Sequence, residues 1–210
     1  MKRALQLTLA ILILSVSLPL LVWGFWPPRR ETRLVALTPA SAGVTLTEAR
    51  NIRLEYAPMV RAGEAEVIRE WLEPGDGYQA DPMYEAYTVI AEARLELPFA
   101  DVRPTDVIST PLLPGDTASF YWEVTPREPE TLRGTVWLYL RFLPKGGGEE
   151  TRVTVSAQDV AIRTGSVLGR TGSEARAAGA LGALVGLALG APFVAQIGKM
   201  HNRKNMTNIT

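Results

Sequence analysis

Residues 118–126 read ASFYWEVTP and residues 131–142 read TLRGTVWLYLRF. In the first stretch Ala118, Phe120, Trp122 and Val124 alternate with Ser119, Tyr121, Glu123 and Thr125. In the second, Leu132, Val136, Leu138, Leu140 and Phe142 alternate with Arg133, Thr135, Trp137, Tyr139 and Arg141. A period of two sends successive side chains to opposite faces, so each stretch reads as a strand with one face buried.

The pattern repeats on both sides. Val89, Ala91, Ala93, Leu95 and Leu97 alternate with Ile90, Glu92, Arg94 and Glu96 until Pro98 ends the run, and a further strand is expected from Thr151 to Arg163. Ile52–Tyr56 and Ala65–Glu73 are weaker strand candidates. Glu64–Leu72 also fits a short helix, but Gly63 and Pro74-Gly75-Asp76-Gly77 bracket it as turns bracket a strand. Pro114-Gly115-Asp116, Pro126 to Pro129, and Pro144-Lys145-Gly146-Gly147-Gly148 punctuate the later runs. About seven short strands with regular turn signals and no convincing soluble helix predict a mainly β domain, an antiparallel β-sandwich. The run Leu113-Pro114-Gly115-Asp116 to Pro126, followed by Gly134-Thr135-Val136-Trp137-Leu138, resembles the late strands of immunoglobulin-like domains in bacterial surface proteins. The resemblance implies an immunoglobulin-like fold and nothing about chemistry.

Two apolar segments flank this domain. Ala4 to Pro28 is uncharged, and a stretch of that length exceeds the roughly 20 helical residues that cross a bilayer core. Lys2 and Arg3 would also suit a signal peptide. The apolar run is longer than an ordinary signal core, however, and it ends in Val22-Trp23-Gly24-Phe25-Trp26 where small residues would be needed for cleavage. Trp23 and Trp26 are expected at the headgroup interface. Pro19 predicts a kink, with Ser15 and Ser17 covering the freed backbone. Ala177 to Gly198 is the second uncharged run, and Gly182, Gly186 and Gly190 stand in it at four-residue spacing, extended by Gly179 and Ala183. Five glycines would badly weaken a soluble helix, whereas in lipid such a row lets another helix approach closely. The partner is expected to be the chain's own first span, another membrane protein, or a second copy.

The expected organisation is an N-terminal transmembrane anchor over 1–28, an extracytoplasmic β-sandwich over 29–170, a Gly/Ala-rich transmembrane helix over 171–198 and a short basic cytoplasmic tail over 199–210. Both tails are purely basic, through Lys2 and Arg3 and through Lys199, Arg203 and Lys204, while all 22 carboxylates lie between Glu31 and Glu174. Positive flanks favour the cytoplasm, so both termini are expected inside a cell or plasma membrane and the domain outside. The sequons at Asn205 and Asn208 would then be silent. The domain carries a formal charge of −5, which disfavours nucleic acid.

Cysteine is absent, which removes disulfides, thiolate metal sites and thiol nucleophiles. The one histidine, His201, lies in the tail, so no Ser-His-Asp triad or multi-histidine metal site belongs to the domain. Asp101, Asp106, Asp116 and Glu123 read as solvated faces or turn caps, and Glu73, Asp76 and Asp81 as turn chemistry without a calcium-ligand ladder. Neither cofactor nor metal is expected. Tyr121, Trp137 and Tyr139 point away from the core-facing stripes and are the candidate partner surface, unless the arm at residues 30–50 covers them. The expected function is a non-catalytic accessory or structural subunit that docks on a larger membrane or envelope complex. The alternative is a glycan or small-ligand binding module.

Overall fold

The computed structural model of the chain describes residues 2–37, 48–127, 130–167, 169 and 171–207. Arg170, Asn208, residues 38–47 of the arm at 30–50, and the side chains of Lys2, Arg3, Lys199, His201, Arg203, Lys204 and Asn205 lie outside the described residues. The chain forms two compact units, one of Pro28–Gly165 and one of Met1–Pro27 with Ser166–Thr210.

The Pro28–Gly165 unit holds ten strands in two five-stranded sheets. The first sheet comprises β1 (Glu31–Leu37), β2 (Arg50–Tyr56), β4 (Glu66–Pro74), β8 (Ala118–Pro126) and β6 (Ala100–Arg103), in that order across it. The second runs β3 (Met59–Arg61), β10 (Thr151–Gly165), β9 (Thr131–Pro144), β5 (Tyr87–Glu96) and β7 (Ile108–Leu112). A four-residue turn of helix, α2 (Met83–Ala86), precedes β5. Both inner faces feed one core. Ile52, Leu54, Ile68, Leu72, Phe120 and Trp122 come from the first sheet, and Val89, Leu112, Leu132, Val136, Leu138, Leu140 and Ile162 from the second. Each such aliphatic or aromatic side chain contributes about 1.5 to 3 kcal/mol by leaving water.

The strongly alternating runs and Glu66–Pro74 are strands as expected. Sequence alternation does not mark β1, β3, β6 or β7. These are edge strands or very short ones, and Pro104 and Pro111 punctuate two of them. An edge strand buries too little of either face to write a clear alternation into its sequence. Pairing departs from all-antiparallel at one place, where β10 runs parallel to β3 from Arg163 to Gly165. A bulge at Thr154/Ser156 also shifts the β10 register, so that Val153 faces Leu140 and, past the bulge, Gln158 faces Val136. In β9, a Cβ on Gly134 would sit 2.9 Å from the Leu97 Cα, so that close strand crossing requires glycine.

The other unit is a pair of antiparallel helices, α1 (Lys2–Phe25) and α3 (Gly172–Thr207). Ala4–Phe25 and Gly172–Pro192 are each long and apolar enough to cross a bilayer. A capping box starts α3. Glu174 N donates to Thr171 Oγ1 at 3.3 Å while Thr171 N donates to Glu174 Oε2 at 2.8 Å. The helix α1 continues through Pro19. Ser15 Oγ donates to Leu12 O, and Ser17 is buried, so the serines do not both serve the proline as expected.

Candidate interaction surfaces

Gly179, Gly182 and Gly186 face α1. A Cβ on Gly179 would lie 2.8 Å from Leu21 Cγ and one on Gly186 would lie 2.7 Å from Leu14 Cγ, while one on Gly182 would collide with the Ser17 hydroxyl. Gly190 is different. A Cβ there would meet nothing within 4 Å, so within this chain the seam against α1 runs through Gly179, Gly182 and Gly186 and leaves Gly190 open. Periodicity carries Gly190 onto the same stripe, but contact also needs an opposing surface at that depth. Beyond the contact, Leu5, Leu12, Val16, Leu181, Leu184 and Leu187 are all exposed. Trp23 is half-buried and Trp26 exposed at the far end of α1. There Arg176 Nη1 donates to Gly24 O at 3.0 Å.

The three expected surface aromatics do not share a surface. Tyr121 lies on β8 in the first sheet, whereas Trp137 and Tyr139 lie on β9 in the second. Consecutive strands read as neighbours in sequence, but the chain changes sheet between β8 and β9. All three do point outward.

On the first sheet, cross-strand register places Leu34 opposite Arg53 and Arg53 opposite Trp71. The Arg53 guanidinium lies 4.5 Å from the Trp71 ring centre, and Trp71 meets Tyr121 edge-on at 6.4 Å. Glu73 holds Arg53 from the other side in an ion pair. The result is a stripe across β1, β2, β4 and β8, with Leu34 63% and Tyr121 49% exposed. Leu34, Arg53 and Trp71 were missed in the sequence because β1 was not recognised and β2 and β4 could not be placed beside β8.

On the second sheet, Trp137 and Tyr139 stack at 6.5 Å and 16°. Trp137 Nε1 donates to Glu96 Oε2 at 3.2 Å, and Arg152 lies 4.0 Å from the Tyr139 ring centre. Glu92, buried among them, is ion-paired with Arg141 at 2.9 Å and with Arg152 at 2.8 Å. This face is laced with ion pairs. Tyr121, Trp137 and Tyr139 are not buried under β1, which the structure sets at an edge of the first sheet.

The interior carries two polar features that sequence reasoning did not find. Arg50 and Glu48 form a fully buried ion pair, and Arg50 also donates to Asp116 O at 2.7 Å, Tyr84 Oη at 3.1 Å and Leu113 O at 3.3 Å. Tyr84 Oη donates to Glu48 Oε1 at 2.5 Å, and burial pushes the Tyr84 phenol well above its ordinary value. This cluster ties β2 to the β7–β8 turn and to α2. Glu70 points from β4 into the core with neither carboxyl oxygen hydrogen-bonded, and burial pushes its carboxyl up to about 8.

Asp101, Glu73 and Asp81 are held in local contacts. Asp101 pairs with Arg127, which holds its carboxyl below the usual range, and Glu73 pairs with Arg53. Asp81 Oδ1 accepts from Met83 N at 2.8 Å and starts α2. Among the described residues no group of three or more His, Asp or Glu is placed to hold a metal ion.

No protein-family model matches the chain, and no curated protein matches it. Solved structures that align with it include a chain from the complex of zinc 2-glycoprotein and prolactin inducible protein from human seminal plasma. That alignment has 10% identity and a TM-score of 0.35, covering 54% of this chain and 93% of that one. AggA, the major subunit of aggregative adherence fimbriae type I from Escherichia coli, aligns at 9% identity and a TM-score of 0.31, covering 65% of this chain and 96% of that one.

Proposed function

We propose that this protein is a membrane-anchored, non-catalytic accessory subunit. In this reading α1 and α3 span a cell membrane as a hairpin, both termini are cytoplasmic, and an immunoglobulin-like sandwich outside docks on a larger membrane or envelope complex. The observation that carries it is the helix pair. Its small-residue seam is closed by its own chain, while its outer surface is exposed leucine, isoleucine and valine. In water such a surface would aggregate; in lipid it needs no further cover. The leftover faces, Gly190 among them, are where a partner helix or a second copy would bind.

The docking face of the sandwich is the stripe of Leu34, Arg53, Trp71 and Tyr121. Tryptophan, tyrosine and arginine are the side chains that dominate binding energy at protein interfaces. Two anchors on one small domain restrict its orientation, which suits a fixed subunit. A second reading, binding of a glycan or small ligand, draws on the Trp137–Tyr139 stack, because flat paired rings bordered by hydrogen-bonding groups suit a sugar face.

Cysteines placed at Gly147 and, separately, at Thr207 of this cysteine-free chain test the arrangement. An impermeant thiol reagent applied to intact cells should label the first and spare the second. Labelling at Thr207 alone would sink the topology. Purification in mild detergent then separates the readings, since a stoichiometric protein partner supports docking and a lone chain with glycan affinity supports the second.

A further inference from the structure

The edge strand β1 is exposed on both faces. Its inward side chains, Glu31, Arg33, Val35 and Leu37, lie opposite the buried Tyr56, Leu54, Ile52 and Arg50 of β2, and its outward ones, Thr32, Leu34 and Ala36, lie opposite Glu55, Arg53 and Asn51. Every residue from Thr32 to Ala36 is nevertheless exposed, including Val35 on the inner side at 43%. Among the described residues β1 pairs with β2 alone. In a ladder, alternate residues aim their N–H and C=O groups away from the paired strand, so the far side of β1 presents a row of open donors and acceptors.

The other three sheet edges are blunted. Three residues make up β3, four make up β6 with Pro104 directly after it, and β7 contains Pro111. Short length and proline are common protections against strand addition. In contrast β1 has seven residues and no proline. Its one cation is turned inward, where Arg33 donates to Glu31 at 2.8 Å and to Asp159 O at 2.9 Å and lies over the Tyr56 ring at 5.3 Å. The run from Leu34 to Leu37 carries no charge. A charged strand laid beside it would lose hydration and meet no counter-charge, so charge matching calls for an uncharged extended strand. Among the described edges only β1 has that length and character, and the strand that matches it is a second β1.

We infer that two copies of this chain join through their β1 edges, antiparallel about a twofold axis, with Leu34 beside its own counterpart. A one-residue slip would oppose inner to outer side chains, so the allowed registers are those centred on a residue. Centring on Arg33 sets two guanidinium groups opposite each other, which is destabilising. Centring on Thr32 or Val35 pairs fewer residues of the strand. Centring on Leu34 pairs all seven, with Thr32 opposite Ala36, Arg33 opposite Val35 and Glu31 opposite Leu37, and no like charges face each other directly. Two five-stranded sheets become one continuous sheet, and the stripes of Leu34, Arg53, Trp71 and Tyr121 run on across the axis. This pairing goes beyond the proposed docking role and does not depend on the anchorage.

Disulfide trapping tests the register, because a single cysteine introduced into this cysteine-free chain can bond only to another molecule. Leu34→Cys in the full chain, purified in mild detergent and oxidised, should give a disulfide-linked dimer, since directly opposed Cβ atoms lie about 4.5 to 5.5 Å apart across an antiparallel pair. Thr32→Cys and Ala36→Cys should each remain monomeric alone and cross-link when the two chains are co-expressed, because each residue lies about 13 Å along the strand from its own copy. Adding Val35→Lys to Leu34→Cys puts like charges opposite each other at Arg33 and should abolish the dimer, whereas adding Val35→Glu should retain it. Thr32, Leu34, Val35 and Ala36 are all exposed, so these chains keep their fold. A monomer with Leu34→Cys overturns the pairing. So does a dimer that forms equally well with Tyr121→Cys, three strands from the edge, or with Thr32→Cys alone. Equal trapping with Val35→Lys and Val35→Glu also overturns it.

Discussion

The ion pair between Arg50 and Glu48 is completely shielded from solvent on both sides. It sits where β2 meets the β7–β8 turn, and the same guanidinium satisfies the carbonyls of Asp116 and Leu113. The pair thereby pins that turn to β2.

Arg50→Met should be strongly destabilising, because it leaves the Glu48 carboxylate buried without its counter-charge. A loss of about 3 to 5 kcal/mol is expected from chemical unfolding in detergent. Adding Glu48→Gln to that variant should recover part of the loss. Equal stability of the single and double variants would show that the pair is not coupled.

Glu70 makes stability depend on pH in an unusual direction for a carboxylate. The folded chain keeps this proton up to about pH 8, while the unfolded chain releases it near 4.5. Between those values the unfolded state binds fewer protons, so stability should fall as pH rises, by about 1.4 kcal/mol per unit from this group. Below 4.5 its contribution is fully present, and above 8 it is lost. Unfolding curves of Glu70→Gln across that window should lack this component; an unchanged slope would refute the assignment.

In the helix pair, Gly186→Ile should lower thermal stability in mild detergent by driving Leu14 away. Gly190→Ile and Leu187→Ile should change it little, since neither faces α1 closely. Equal effects at Gly186 and Gly190 would show that glycine content, not the seam, matters.

The two outer faces separate by substitution. Tyr121→Ala combined with Leu34→Ser should lose the partner in detergent co-purification, while Trp137→Ala should retain it, and both chains should remain folded because these side chains face outward. Loss of the partner with Trp137→Ala alone would move the docking face to the second sheet.

Sequence alone determined the local pattern. Alternation at 89–97, 118–125 and 132–142 and the uncharged runs at both ends follow from side-chain periodicity and polarity, which neighbours in the chain record without reference to anything distant. The glycine stripe was legible for the same reason, and so was the outward direction of Tyr121, Trp137 and Tyr139. Tertiary structure decided what depends on which strands are neighbours. Sheet membership separates Tyr121 from Trp137 and brings Leu34, Arg53 and Trp71 beside it, because pairing is chosen by the summed burial of both sheets and not by any one strand. The β10 bulge reverses inward and outward midway along one strand, a shift that strict alternation cannot encode. Gly190 shares the helical phase of Gly186 but not its contact. Glu48, Arg50 and Glu70 look like ordinary surface charges in the sequence, and only the closure of the core over them gives them their energetic weight.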